Sequence, residues 1–343
     1  MLYEVLADNA VRCNLCSRRC RIPEGKPGFC LVRKNIEGKL YTLTYGKACS
    51  ANVDPIEKKP LSHFHPGSLV FSIATIGCNW RCRFCQNWVI SQDKEVSGTD
   101  LDPEKVVSLA KSSGCQGISY TYTEPTIFFE YAYDTSRIAH REKLFNTFVT
   151  NGYETPEAIR MIGPYLDAAT VDFKGAGDEG FLRKFSAVPS AEPIFDALKE
   201  FKNCGVHLEI TNLVVPKYGD SLEAIRKLAK WIRENLGPEV PFHLLRFHPD
   251  YELLEIPATP IATLEQAWRI AKEEGLYYVY AGNVPGHKLE NTYCPQCRKM
   301  VVERFGFQIL KWNLLEDNRC PECGFKLHII GGYSKSSPRP TFF

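Results

Sequence analysis

The stretch Gly77-Cys78-Asn79-Trp80-Arg81-Cys82-Arg83-Phe84-Cys85 carries three cysteines at C-x3-C-x2-C spacing, with an aromatic residue just before the last. It follows an apolar, β-leaning run, Ser68-Leu-Val-Phe-Ser-Ile-Ala-Thr-Ile76. A strand that ends in a cysteine-rich loop presents its thiolates together at one rim of a sheet. Three thiolates suit a soft metal centre. Iron–sulfur clusters are usually held by four cysteines, so a set of three leaves one iron without a protein ligand. An open coordination position is where chemistry happens. The bland alternatives are three ligands of a zinc site or three buried thiols.

With 343 residues the chain has room for one large domain and one or two small ones. Hydrophobic content of 44% and charged content of 24% are those of a soluble globular protein. A net charge of +2 implies no general attraction to nucleic acid or to an anionic membrane. The start, Met1-Leu-Tyr-Glu-Val-Leu-Ala-Asp-Asn, lacks the basic-then-apolar layout of a signal peptide, and no apolar run is long enough to span a bilayer. A cytoplasmic location is expected. In a reducing compartment, fourteen cysteines point to metal rather than disulfides. Ten of them fall into three clusters and Cys30 completes the first, while Cys49, Cys115 and Cys204 are isolated and expected to pack as small apolar residues.

The first cluster, Cys13, Cys16, Cys20 and Cys30, reads as a metal-tied knuckle, because so short a segment buries little core. Zinc comes first as its occupant, with a second Fe-S cluster as the alternative. The span 52–67 follows, where three prolines prevent a regular helix and where His63 and His65 read as packing residues rather than ligands. Near the other end, Cys294-Pro-Gln-Cys297 and Cys320-Pro-Glu-Cys323 make C-x2-C-x22-C-x2-C, a tetrahedral four-thiolate site for zinc in a ribbon or iron in a rubredoxin-like module. Such a site is closed, so it is structural or electron-carrying.

Between these flanks, β-rich runs at 69–76, 117–122, 144–150, 168–173, 206–215, 242–247 and 277–281 alternate with helix-period stretches. That alternation predicts an α/β fold of right-handed βαβ units, a partial or near-closed (β/α) barrel with its active site at the C-terminal strand ends. The expected divisions are 1–67 for the N-terminal Cys-rich segment and Pro-rich lead-in, 68–290 for the core, 291–332 for the four-cysteine module and 333–343 for a flexible tail. On the expected rim stand Glu124, Asn151 in Thr-Asn-Gly, Asp172 and Lys174 at the end of the fourth run, and His248 after the sixth. Period-2 alternation puts Asp172 and Lys174 on one face. Glu124, before Pro125, also reads as an acid at a helix N-terminus. Gly175-Ala-Gly177-Asp-Glu-Gly180 matches G-x-G-x-x-G, but it follows the fourth run rather than the first and reads as a rim turn, not a dinucleotide site.

The loop at 77–85 resembles the signature of the radical S-adenosylmethionine (SAM) superfamily. The resemblance implies a 4Fe-4S cluster on Cys78, Cys82 and Cys85, with the SAM amino and carboxylate groups on the fourth iron and a 5′-deoxyadenosyl radical as the product of reductive cleavage. It implies that Phe84 approaches the adenine, that Glu124 takes the SAM ammonium, that Asp172 and Lys174 contact SAM as in glycyl-radical-enzyme activases, and that His248 reaches the ribose. The chain departs from those patterns where Tyr122 and Thr123 replace two glycines and where Val149 replaces an acid. Asp54-Pro-Ile-Glu-Lys-Lys-Pro-Leu-Ser-His-Phe64, Cys85-Gln-Asn87, Gly282-Asn-Val-Pro-Gly286 and both cysteine-rich flanks occur together. That set resembles the AmmeMemoRadiSam system radical SAM enzymes, relatives of pyruvate formate-lyase activases, and implies Amme-type and Memo-type protein partners and a one-electron donor of flavodoxin or ferredoxin type. The function so implied is hydrogen abstraction from a protein or small-molecule substrate, with a glycyl-radical activase as one alternative. A metal-knuckle module binding nucleic acid or protein without catalysis is the alternative of another class. The near-neutral charge and the lack of a basic stripe among aromatics speak against nucleic acid.

Overall fold

All seven apolar runs become strands of one parallel sheet: β2 (Leu69–Ala74), β3 (Gly117–Tyr120), β4 (Phe145–Thr150), β5 (Ala168–Lys174), β6 (His207–Val214), β7 (Phe242–Arg246) and β8 (Val279–Gly282). The computed structural model describes residues 1–335. Each strand lies beside its predecessor in the chain, so the sheet runs in sequential order from β2 to β8. Helices at Pro103–Ser112 (α1), Phe129–Arg141 (α2), Pro156–Ile162 (α3), Glu179–Ser186 (α4), Glu192–Asn203 (α5), Leu222–Asn235 (α6) and Ile261–Glu273 (α7) make the crossovers. All six residues of β2 are buried, the mark of a strand covered on both faces.

Local chemistry sets the helix starts. The Asp102 carboxylate accepts from the Lys105 amide at 2.7 Å with Pro103 at the first helical position, and Ser221 caps α6 by accepting from the Ala224 amide at 3.2 Å.

The sheet has an eighth strand that lay hidden in the Pro-rich lead-in. Residues Ser50–Pro55 form β1, antiparallel to β2 in the register Ser50↔Ala74 to Pro55↔Leu69. Proline at the end of an edge strand costs no ladder hydrogen bond. The sheet stays open, because β1 and β8 are its two edges and do not pair. The expected barrel is therefore a partial one.

The flanks are built separately and then pinned. The N-terminal segment is a three-stranded antiparallel sheet (Tyr3–Val5, Val11–Cys13, Arg21–Ile22) followed by a hairpin (Arg33–Ile36, Lys39–Thr42). Arg33 ties it to α2 through a buried two-point pair with Glu130, at 2.8 and 2.6 Å. The C-terminal module is another three-stranded antiparallel sheet, with strands Thr292–Tyr293, Met300–Phe305 and Gln308–Trp312. His63 joins it to the core: Nδ1 donates to the His328 carbonyl at 2.8 Å and Nε2 accepts from the Tyr280 hydroxyl at 2.6 Å. Burial lowers the His63 pKa to about 3, so it is a neutral packing residue. Tyr333 and Ser334, expected to open a flexible tail, are held against the rest of the chain. Tyr333 stacks on Trp312 with centroids 5.2 Å apart, and the Ser334 amide donates to the Pro66 carbonyl at 2.9 Å. Residues 336–343 lie outside the described residues. Among those described, no helix is long and apolar enough to cross a membrane.

Ile210, fully buried in the middle of β6, gives the sheet a direct test. Ile210→Ala should cost about 2–5 kcal/mol, read as a lowered urea midpoint with an unchanged slope.

Candidate active site

The C-terminal ends of the parallel strands meet at one rim, and β2 delivers the 77–85 loop there. Gly77 turns the chain at φ +100°, and a Cβ at that position would stand 2.9 Å from Val32 Cγ1 and 3.0 Å from the Cys30 carbonyl oxygen. Only glycine lets the loop approach the N-terminal knuckle so closely. The loop is then tied down by the Gly77 amide on the Ile90 carbonyl (2.8 Å), the Arg81 amide on the Ser186 carbonyl (2.9 Å) and the Arg83 amide on the Phe185 carbonyl (2.8 Å).

The three cysteines are half-buried, and hydroxyls stand beside two of their sulfurs: Ser186 Oγ is 3.4 Å from Cys82 Sγ and Ser91 Oγ is 3.2 Å from Cys85 Sγ. The Trp80 amide donates to Cys78 Sγ at 3.4 Å. A sulfur set with such donors around it can hold a metal cluster, since hydrogen bonds to sulfur tune cluster potential.

Asp172 and Lys174 sit on one face of β5, as the alternation predicts, with Phe173 fully buried on the other. Lys174 Nζ pairs with Asp172 Oδ2 at 2.9 Å, and Thr211 Oγ1 donates to Asp172 Oδ1. Burial works against the lysine charge, but Asp172 and the Cys82 sulfur outweigh it and raise its pKa. The ammonium therefore stays charged.

Glu124 is 1% exposed, and both its oxygens are engaged. Oε1 accepts from the Thr126 amide (3.1 Å), Thr126 Oγ1 (2.7 Å) and Thr150 Oγ1 (3.0 Å), and Oε2 accepts from the Asn151 amide (2.9 Å). It caps the short helical turn at Pro125–Phe128, the helix-terminus role that its position before Pro125 suggested. Asn151 links it to the cysteine loop, since Nδ2 donates to Asn79 Oδ1 at 2.7 Å. Phe84 is buried against Phe181 and Phe247, with centroids 5.7 and 6.4 Å away. His248 stands apart: its side chain is 80% exposed and it faces Asp250 at 3.5 Å. The structure thus brings Cys78, Cys82, Cys85, Phe84, Glu124, Asn151, Asp172 and Lys174 to one region and leaves His248 at its edge.

Two groups went unnoticed in the sequence. Glu154 lies buried beside Glu124 and accepts from the same Thr150 hydroxyl at 2.6 Å. Nothing local marks it, because the pair forms only when β3 and β4 align. The other group surrounds Tyr122, which takes a left-handed φ of +63° where a glycine would be at ease. Its hydroxyl donates to Asp54, and the Lys59 ammonium stands 4.4 Å from its ring centroid. Asp54 also receives Lys58 at 2.8 Å and Lys59 at 2.7 Å. The Asp-Pro-Ile-Glu-Lys-Lys motif was visible as a string, but its partner across the sheet was not.

At the other end, Cys294 and Cys323 sulfurs lie 3.5 Å apart, Cys297 and Cys320 sulfurs 3.6 Å apart, and all four sulfurs fall within 4.8 Å of one another. Zinc–sulfur bonds of about 2.3 Å put tetrahedral sulfurs about 3.8 Å apart, so this set fits one ion. Among the described residues no other group of three cysteine, histidine or acid ligands closes so tightly. Gly175-Ala-Gly177 forms a short rim turn, packed on Phe181.

A model of the radical SAM superfamily matches residues 72–232. The chain belongs to the radical SAM superfamily. It is an enzyme, and membership implies a 4Fe-4S cluster and SAM. An uncharacterized protein of Methanocaldococcus jannaschii is 48% identical over 333 residues, covering 96% of this chain and 98% of its own. That alignment is too long to omit either cysteine-rich flank. The pyruvate formate-lyase-activating enzyme of Clostridium pasteurianum is 27% identical over 199 residues, 53% of this chain and 81% of its own. The fold is like that of a radical SAM methyltransferase from Sphaerobacter thermophilus, with a TM-score of 0.51 at 16% identity over 64% of this chain and 68% of that one.

The buried acid pair gives a pH test. Burial, above all, raises the pKa of both Glu124 and Glu154. A carboxyl raised in the folded state favours folding while protonated, so its contribution is full below its ordinary value of 4.5 and is lost as pH climbs through the raised value. Glu154→Gln should therefore flatten the loss of stability on the alkaline side of pH 4.5 in urea titrations run across pH. An unchanged pH profile would remove the pair from the account.

Proposed function

We propose that this enzyme cleaves SAM reductively at Cys78, Cys82 and Cys85 and abstracts hydrogen from a protein or small-molecule substrate. One observation carries it: three half-buried cysteines share the loop that leaves β2 at the strand rim, where the Asp172–Lys174 ion pair ends β5. When bound there, a 4Fe-4S cluster with one iron unclaimed by protein supplies the electron that breaks a SAM C–S bond. The chain supplies the rest. Ser186 and Ser91 hold two of the sulfurs in place, and Asp172 and Lys174 bind the polar groups of SAM. Asn151 orients the loop through Asn79, and Glu124 fixes the Asn151 turn from below rather than reaching the ammonium through its filled hydrogen bonds. Phe84 lines the adenine side. His248 serves the ribose only if the 247–250 turn closes over the rim.

The finer family assignment, AmmeMemoRadiSam, brings Amme-type and Memo-type proteins as partners and a flavodoxin- or ferredoxin-type donor, in the cytoplasm. The C-terminal four-cysteine site takes zinc, or iron, as a closed structural centre. The likeness to the Clostridium pasteurianum activating enzyme favours a second outcome, abstraction from a backbone glycine of a partner enzyme.

After anaerobic reconstitution with dithionite, the wild-type chain should release 5′-deoxyadenosine from SAM, and Cys82→Ala should fall to background. Full release by Cys82→Ala defeats the proposal. Lys174→Met should raise the KM for SAM about tenfold to a hundredfold, since a hydrogen bond to a charged group contributes about 1.5–3 kcal/mol. A persistent glycyl signal on a candidate partner would select the activase outcome.

A further inference from the structure

We infer that Cys13, Cys16, Cys20 and Cys30 hold a second 4Fe-4S cluster, seated directly behind the 77–85 loop, rather than zinc. The four residues line one cavity, partly open to solvent, together with Arg33 and Asn79. The chain contains its own comparison. The C-terminal four sulfurs close to within 4.8 Å of one another, as one tetrahedral ion requires, and the N-terminal four do not. A set that does not close so tightly suits a cluster, whose ligands stand at its outer corners, and four thiolates are the usual set for a cubane.

The cavity wall also carries two unspent donors. Arg33 Nε and Asn79 Nδ2 are buried, line the cavity and have no hydrogen-bond partner. Arg33 is 3% exposed and Asn79 fully buried. A buried donor left unpaired costs about 1–3 kcal/mol. The sulfurs of a cluster would accept from both.

Position gives the cluster a role. The Arg18 guanidinium donates to the Asn79 and Ala187 carbonyls, and Arg81 donates to the Cys78 and Phe29 carbonyls, so the knuckle and the loop clasp each other. Both guanidiniums stand over the Phe29 ring, at 3.5 and 4.5 Å from its centroid. Asn79, next to Cys78, forms a wall of the second cavity. A one-electron donor docking at the knuckle would reduce this cluster by one electron, and the same electron would pass on to the centre at Cys78, Cys82 and Cys85.

The test is metal content after anaerobic purification of the full chain. The wild type should hold about eight irons and eight sulfides outside the C-terminal site, and about four irons with a second zinc would overturn the inference. Cys78→Ala/Cys82→Ala/Cys85→Ala removes the proposed SAM centre. It should still carry about four irons and four sulfides and, once reduced, a 4Fe-4S paramagnetic resonance signal insensitive to SAM. Zinc in their place overturns the inference while leaving the SAM proposal intact. Cys16→Ala/Cys20→Ala should lose only the SAM-insensitive signal, and loss of the SAM-sensitive one alone would assign the cysteines the other way. If either variant misfolds by circular dichroism, the wild-type count decides.

Discussion

The 77–85 loop has no ladder of its own, and its place depends on the carbonyls that α4 leaves unpaired. The last carbonyls of a helix have no intrahelical donor. Here the Arg81 amide meets the Ser186 carbonyl, the Arg83 amide meets the Phe185 carbonyl, and the Arg18 guanidinium meets the Ala187 carbonyl just beyond. Donors and a positive charge thus converge where the helix dipole is negative. The irregular loop gains fixed acceptors, and the helix end gains the donors it lacks. Ser186, at the same helix end, stands beside Cys82. The position of the sulfurs is therefore set by a helix a hundred residues downstream in the chain, brought near by the sequential order of the sheet.

Sulfur spacing separates the cysteine sets by what they can hold. A short metal–sulfur bond draws four ligands into a compact tetrahedron, which the C-terminal knuckles achieve. A cubane keeps its ligands at its outer corners, so cysteines meant for it stand apart around a space. At the rim, Lys174 keeps its charge because sulfur and Asp172 outweigh the cost of burial.

Much of this was legible in the chain. The seven parallel strands announced themselves as apolar runs at regular spacing, and the face shared by Asp172 and Lys174 followed from the pleat alone. The three-cysteine loop carried the resemblance to the superfamily whose model matches residues 72–232. What stayed hidden depended on long-range pairing. Strand Ser50–Pro55 is half polar and ends in a proline, so its β character comes from the partner Leu69–Ala74 rather than from propensity. Glu154 became notable only when the sheet laid it beside Glu124. Glu124 itself could be read as a ligand for an ammonium or as a helix-terminal acid, and only its four internal hydrogen bonds distinguish the two. His248 looked like a rim residue because it follows a strand, but Phe247 takes the buried place and His248 is left in solvent.

The central claim is that one corner of the centre on Cys78, Cys82 and Cys85 is left for the cofactor. Pulsed paramagnetic resonance of the reduced protein with SAM carrying 15N in its amino group and 17O in its carboxylate addresses it directly. Strong couplings from both labels to the cluster spin are the expected result. A reduced cluster whose spectrum shows neither coupling, with SAM bound, would mean that protein already fills the corner and would contradict the account.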